Sequence, residues 1–394
     1  MMPFDFRTFI MMFRLAFHDR MSPRRKKVVL ALLFIIPAMA TLNAFCLLLD
    51  QILFPGFRRV HVHKPVFIIG HARSGTSLMH RLMTGDERFS WFMTYELFVP
   101  SLVQRKLIRF LGACDRRFAG GALARRIQAW EDRTFARGRE MHPMSLTGPE
   151  EDEFLLIFSC LSGVWVTLFP YMRELDYLYY TDRMAPRERR RILGFYESCV
   201  KRQLYLNGPH RTHCSKNPTF AGKMESLIEI FPDARFVVLN RNPYETIPSL
   251  LKMMKRNWKA SDCDPERMRD SMEGLGQQSF HTYRYPYEVL TRHPEIRYAL
   301  VDYRELVESP RRVVEKVYSQ LELPLTPEFE KFLALEETRS KEYRADHVYN
   351  LREFGLEHEK IRAELGQLFE RFGWQKEPPE YPPKPQEGAQ NEDV

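Results

Sequence analysis

Residues 70–77, Gly70-His71-Ala72-Arg73-Ser74-Gly75-Thr76-Ser77, combine two glycines, an arginine and three hydroxyls. They follow Val66-Phe67-Ile68-Ile69, a continuous apolar run with the character of a buried strand, and lead into a helical pattern from Thr76 to about Met83. A glycine-bearing turn between a strand and a helix suits a phosphate-like anion. Backbone N–H groups at the helix start point at it, and glycine lets the chain come close. The spacing of Gly70 and Gly75 equals that of nucleoside-triphosphate loops. Thr76, however, stands where the lysine for β- and γ-phosphates would follow. The cation comes earlier, at Arg73, which suits a donor with a compact 5′ group and makes ATP or GTP a poor fit.

The elements that must position this loop are partly visible. Ala234 to Asn240 and Ile296 to Val301 repeat the apolar-strand pattern. Amphipathic helices are predicted over about 221–230, over 244–258 and after Pro310. Strands alternating with helices imply a parallel sheet with helices on both faces, an α/β fold of three layers. Residues 86–210 read as mostly helical. Within them the uncharged stretch from Phe154 to Pro170 reads as a buried helix able to wall an apolar acceptor pocket, with a second membrane span as the alternative on length alone.

Four blocks together resemble the sulfotransferases that use 3′-phosphoadenosine-5′-phosphosulfate (PAPS). Phe67 to Ser77 is similar to their 5′-phosphosulfate loop, and Arg73 matches the form found in tyrosylprotein and bacterial-type sulfotransferases. Val237-Val238-Leu239-Asn240-Arg241-Asn242-Pro243, with Ser249 eight residues after Arg241, resembles their 3′-phosphate site. Ser215-Lys216-Asn217-Pro218 and Tyr303-Arg304-Glu305-Leu306-Val307 with Pro310 resemble two further segments, in the family's order. The resemblance implies a P-loop-type fold and a nucleotide donor that leaves as 3′,5′-ADP. It implies that Arg73, with the N–H groups of Ser74, Gly75, Thr76 and Ser77, holds the 5′-phosphosulfate. Arg241 and Ser249 would bind the 3′-phosphate, and Tyr303 would contact the nucleotide. Lys216 would stabilise the sulfuryl group in transit. It leaves residues 1–50 and 375–394 uncovered.

Sulfuryl transfer also needs a base for the acceptor. Tyrosylprotein sulfotransferases use a glutamate shortly after the loop helix, which points to Glu96, about two residues beyond the family spacing. Cytosolic sulfotransferases use histidine, which makes His142 the rival. Glu150, Glu151, Asp152 and Glu153 form a further acidic run, but Thr147-x-x-Glu150 is a capping-box pattern, so this run reads first as a helix start. The motifs supply cations and N–H groups without metal ligands, and no metal is expected.

The remaining features concern location. The net charge of +8 is concentrated in residues 1–27, with seven Lys/Arg against Asp5 and Asp19. Beside the uncharged apolar segment from Val28 to Leu49, that charge favours anionic lipid over nucleic acid. The segment is long enough to span a bilayer as a helix; an in-plane helix and a signal peptide are the alternatives. A cytosolic supply of PAPS favours a membrane-associated protein with its domain in the cytoplasm, against a single-pass protein with a lumenal or external domain. The expected organisation is a basic, aromatic segment (1–27), an apolar helix (28–50), a catalytic domain (60–376) and a disordered tail (377–394). Removing residues 1–50 is expected to release that domain. No cysteine pair is spaced for a metal or a CxxC motif, so the six thiols are expected to be reduced.

The expectation is thus an enzyme that moves a sulfuryl group from PAPS to a hydroxyl or amine, with a lipid or amphipathic acceptor. A P-loop kinase would need the missing lysine and a magnesium carboxylate. A non-catalytic nucleotide-binding relative would be expected to lose Arg73, Lys216 or Arg241, and all three are present.

Overall fold

The computed structural model describes residues 2–135, 145–340, 351 and 354–374; His142 and the expected tail lie outside them. Among these residues five strands form one parallel sheet: β1 (Val66–Gly70), β2 (Phe89–Ser90), β3 (Thr212–Lys216), β4 (Arg235–Asn240) and β5 (Arg297–Asp302). Their order is β2-β3-β1-β4-β5. The helices run α1 (Phe6–His18), α2 (Pro23–Leu53), α3 (Thr76–Met83), α4 (Thr94–Phe98), α5 (Leu102–Phe118), α6 (Ala122–Phe135), α7 (Met172–Leu175) and α8 (Pro186–Asn207). After β3 come α9 (Met224–Ile230), α10 (Pro243–Ala260), α11 (Pro265–Arg292), α12 (Tyr303–Glu308), α13 (Pro310–Gln320), α14 (Pro327–Ser340) and α15 (His358–Phe372).

The three layers follow from the pleat. Successive side chains of a strand point to opposite faces, so an all-apolar strand feeds two cores. Phe67, Ile69, Phe236 and Val238 enter one core, shared with α8, α9, α10 and α11. Val66, Ile68, Val237 and Leu239 enter the other, closed by α3, α13 and α14. The connections after β1 and β4 diverge, one towards β2 and β3 and the other towards β5. The crevice at the C-terminal ends of β1 and β4 is therefore the switch point where sheets of this class take ligands.

Three sequence expectations change. The predicted strands match β1, β4 and β5, whereas β2 and β3 were not foreseen. Thr212-His213-Cys214-Ser215-Lys216 reads as a polar loop, yet its last four residues are buried. Residues 154–170 are not one helix. They form two 3₁₀ segments, Asp152–Ser159 and Gly163–Thr167, broken where Cys160 adopts a left-handed φ of 59°. The stretch is core all the same, with Leu155, Trp165, Val166 and Phe169 buried. The helix expected over 221–230 begins with a 3₁₀ turn, Pro218–Lys223, before α9.

The apolar segment near the N-terminus lies inside a longer helix, α2, and that helix is docked. Val29, Ile36, Ala40 and Leu47 form a buried stripe continuous with the core beside the sheet. Polar anchors punctuate the stripe. Arg25 donates to the Leu168 carbonyl (2.6 Å), and Asn43 donates to the Phe98 carbonyl (3.0 Å). Asp50 is fully buried. It accepts from Arg202 (2.7 Å), from the Ser101 hydroxyl and from the amides of Leu102 and Val103 (each 2.9 Å), so it caps α5 and ties α2 to α8. At 1.5 Å per residue, Arg25 and Asp50 are about 38 Å apart along the helix. Residues 1–50 thus complete the core of the domain they were expected to tether. Asp50→Ala leaves a buried guanidinium and the α5 amides without their acceptor and should lower the unfolding free energy by about 3–5 kcal/mol. Chemical denaturation measures this, and a loss below ~1 kcal/mol would show that the α2 anchor does not hold the domain.

Candidate functional site

The loop between β1 and α3 takes its shape from two glycines. Gly70 has φ 139°, and a Cβ there would lie 2.3 Å from the Leu239 carbonyl oxygen on β4. Gly75 has φ 91° and is the N-cap of α3, where no side chain caps the helix. A Cβ on Gly75 would meet Tyr303 at 2.6 Å. The first turn of α3 thus offers its amides at the C-terminal edge of the sheet, where an anion is favoured. Between the glycines Arg73 has φ 72°, an uncommon conformation for a side chain of that size and one that concentrates at functional sites.

The side chains implied by the sequence converge here. Arg73 Nε donates to the Ser249 hydroxyl on α10 (3.3 Å). Arg241, just past the end of β4, donates to the Arg73 carbonyl (3.2 Å) and pairs with Glu245 (2.7 Å). Its guanidinium lies over the Tyr303 ring, 4.1 Å from the centroid. Tyr283 of α11 donates to the Arg241 carbonyl (2.7 Å) and stacks on His71 at 4.9 Å, with 11° between the rings. Burial pushes the His71 pKa down to about 4, against a hydrogen bond to the Ala72 carbonyl, so the ring is neutral at pH 7. Two arginines, a hydroxyl, an uncapped helix start and an aromatic face therefore share the β1/β4 crevice. That set can hold a donor carrying two separate phosphate-type anions.

Lys216 ends β3 next to β1, in register with Ile68. It is buried, and its ammonium donates to Glu151 (3.0 Å) and Glu150 (3.3 Å). Burial disfavours the charged form, but Glu151 and then Glu150 outweigh it, and the Lys216 pKa is raised. Although a 3₁₀ segment, Asp152–Ser159, begins here as the helix-start reading expected, no side chain caps it at Glu151, so capping is not the role of the acidic run. Each of its residues is spoken for by a group on or just after β3. Asp152 accepts from the Tyr196 hydroxyl (2.6 Å) and lies 3.0 Å from His213. Glu153 takes Lys223 (2.6 Å), the Thr219 hydroxyl (2.8 Å) and the Gly163 amide (2.8 Å).

Glu96 is not brought to Lys216. Its carboxylate is fully buried, bonded to Arg105 (2.6 Å), near Arg109 (3.5 Å) and accepting from the Met93 amide (3.1 Å). Its expected role as base does not fit this geometry, because one oxygen ties α4 to Arg105 of α5 and the other accepts from the Met93 amide at the N-cap of α4. Glu151 is the carboxylate beside Lys216 that keeps some solvent access, with 23% of its side chain exposed. The sequence signal for it was the unusual density of four successive acids, which the capping-box pattern masked.

Comparison with known proteins agrees with this architecture. A sequence model of the sulfotransferase family matches residues 65–327. The omega-hydroxy-beta-dihydromenaquinone-9 sulfotransferases Stf3 of Mycobacterium bovis and Mycobacterium tuberculosis are each 27% identical over 332 residues, 80% of this chain and 76% of theirs. The crystal structure of sulfotransferase STF9 from Mycobacterium avium superposes with a TM-score of 0.73 at 18% identity, covering 94% of this chain and 92% of that one. For sulfotransferase STF1 from Mycobacterium tuberculosis the TM-score is 0.62 at 18% identity, with 91% and 90% covered. Because the family model spans residues 65 to 327, more than half of the chain, the chain belongs to the sulfotransferase family.

Proposed function

We propose that the protein transfers a sulfuryl group from PAPS to a hydroxyl on a lipid or other amphipathic acceptor at a membrane. The convergence of Arg73, Arg241 and Ser249 at the β1/β4 crevice carries the donor assignment. A triphosphate enzyme has no use for a second anion site one helix away from the loop. In this reading Arg73 and the amides of Ser74, Gly75, Thr76 and Ser77 hold the 5′-phosphosulfate. Arg241 and Ser249 hold the 3′-phosphate, and Tyr303 lines the nucleotide. The acceptor class rests on two supports. The Stf3 relatives are named for a hydroxylated menaquinone, and this chain carries apolar helices against the catalytic domain. The protein is accordingly read as membrane-associated with its domain in the cytoplasm.

The chemistry forms a bond from the acceptor oxygen to sulfur as the bond from sulfur to the phosphate oxygen breaks, and 3′,5′-ADP departs. Lys216 stabilises the charge that moves onto the bridging and sulfuryl oxygens. Glu151 accepts the hydroxyl proton. The Lys216–Glu151 contact keeps both in reach of one reacting centre before substrates arrive, so little reorganisation is required.

The donor assignment is tested by thermal shift in detergent. 3′,5′-ADP should stabilise the protein far more than 5′-AMP or ATP, and Arg241→Ala should abolish the difference. Equal shifts for all three nucleotides would remove PAPS as the donor.

The catalytic assignment is tested by turnover of PAPS with long-chain hydroxylated lipids. Glu151→Gln and Lys216→Ala should each slow transfer by roughly 10²–10⁴-fold with 3′,5′-ADP affinity little changed. Glu96→Gln should instead lower stability, by leaving Arg105 buried with a weakened partner, and keep near-normal turnover per folded molecule. The opposite pattern would return the base to Glu96.

A further inference from the structure

Four helices leave most of their large apolar side chains in solvent. All but four of the exposed large apolar residues among those described lie on α1, α2, α5 and α6; the exceptions are Tyr205, Tyr298, Val307 and Leu335. Phe6 on α1 is 68% exposed, Phe34 on α2 71%, Phe110 on α5 63% and Trp130 on α6 50%. These helices are neighbours in series, α1 on α2, α2 on α5 and α5 on α6, so the residues belong to one continuous region. A folded monomer rarely leaves so large an apolar area in water without a partner for it.

The charge on the same helices identifies the partner. Their spans carry twelve exposed Lys/Arg and one exposed carboxylate, Asp132. The other three acids, Asp50, Asp115 and Glu131, are buried. Apolar residues interleaved with lysine and arginine on helices almost devoid of exposed acids fit the headgroup boundary of an anionic bilayer. The docking of α2 sets its orientation. With Arg25, Asn43 and Asp50 all held by the domain, the helix lies along the protein and offers only its outer face to lipid. The α5–α6 hairpin reaches further out. Residues 106–111 are exposed at six successive positions, more than a full turn, with Lys106 over the Phe54 ring and Arg109 bonded to Asn207 as their ties to the domain. Asp115 holds the hairpin closed by accepting from the amides of Leu123 and Ala124 (each 3.0 Å) at the start of α6.

We infer that α1, the outer face of α2 and the projecting α5–α6 hairpin form an in-plane docking surface for an anionic phospholipid bilayer, with the hairpin inserted at the interface. This deepens the membrane-associated reading above and does not depend on the donor or the catalytic residues. It also relates lipid to chemistry. The 3₁₀ segment Asp152–Ser159, which starts beside Glu151, packs on α2, and its last carbonyl accepts from the Asp5 amide ahead of α1 (2.9 Å). The docking surface and the candidate base are thus the two ends of one short segment.

The test is flotation of the full chain, purified in detergent, with vesicles of phosphatidylcholine alone or with phosphatidylglycerol. The wild type should float with the anionic vesicles and lose binding as salt rises. Leu107→Asp combined with Phe110→Asp sits on exposed positions and should keep the thermal midpoint while weakening vesicle binding roughly tenfold or more. Brominated lipids should quench a tryptophan component that Trp130→Phe removes. A wild type that floats while the hairpin variant floats equally well and Trp130 is not quenched would overturn the docking surface and leave membrane association standing. A wild type that stays with the soluble fraction would overturn both. A stable dimer by sedimentation, lost in the hairpin variant and without vesicle binding, would assign the face to a second copy and likewise overturn the proposal.

Discussion

The contact between the acidic run 150–153 and strand β3 is the constraint on which the rest of the site depends. β3 lies inside the sheet yet carries His213 and Lys216, and Lys223 is buried shortly after it. Such groups are tolerated in a core only when paired and hydrogen-bonded. Glu150 and Glu151 meet Lys216, Asp152 meets His213, and Glu153 meets Lys223, so four consecutive residues pair with the ionisable groups on and just after the strand. This pairing draws residues 146–159 across the C-terminal edge. Backbone contacts then seat α4 against the same segment, through the Met93–Pro149 bridge and the Thr94 amide bonded to the Gly148 carbonyl (3.1 Å). The same pairing that Lys216 requires in the core sets Glu151, the proposed base, beside it.

A second ion pair organises the N-terminal helices. Asp50 and Arg202 are both buried, and the carboxylate also serves three donors at the start of α5. Its desolvation is offset by four hydrogen bonds and by the Arg202 guanidinium lying 3.9 Å from the Phe57 ring centroid. The consequence is directional. One face of α2 is committed to the domain, and apolar residues of the other face, Phe34 and Phe45 among them, remain exposed. Glu96 has a similar role deeper in the fold. Its pairing with Arg105 roots the base of α5.

The side of the site built on the β1–α3 loop is held in place for different reasons. Gly70 and Gly75 stand where a Cβ would collide with β4 or with Tyr303, and Arg73 is held in a left-handed conformation between them. Tyr303 and Tyr283 then fix Arg241 from its ring face and from its backbone. Cations and amides fixed before a ligand arrives lose little freedom on binding it, which is the physical basis of electrostatic preorganisation.

The sequence by itself determined the features governed by local patterns. β1, β4 and β5 are apolar runs bounded by turn residues, and the loop after β1 announces itself by glycine spacing. Arg241, Ser249, Lys216 and Tyr303 could be named in advance because they stand in short motifs that resemble those of the sulfotransferases. What only the tertiary structure decided were pairings between segments far apart in the chain. β3 was invisible because its buried polar residues look solvated until the acids at 150–153 are laid against them. The same acids looked like a helix start, since local spacing cannot show that their partners lie some 60 residues on. Glu96 matched a motif position, but nine residues later Arg105 claims its carboxylate in the core. The apolar segment at 28–49 was legible from composition as a long apolar helix. That it lies along the domain follows from Asp50 meeting Arg202, 152 residues away, which no periodicity within the segment could reveal.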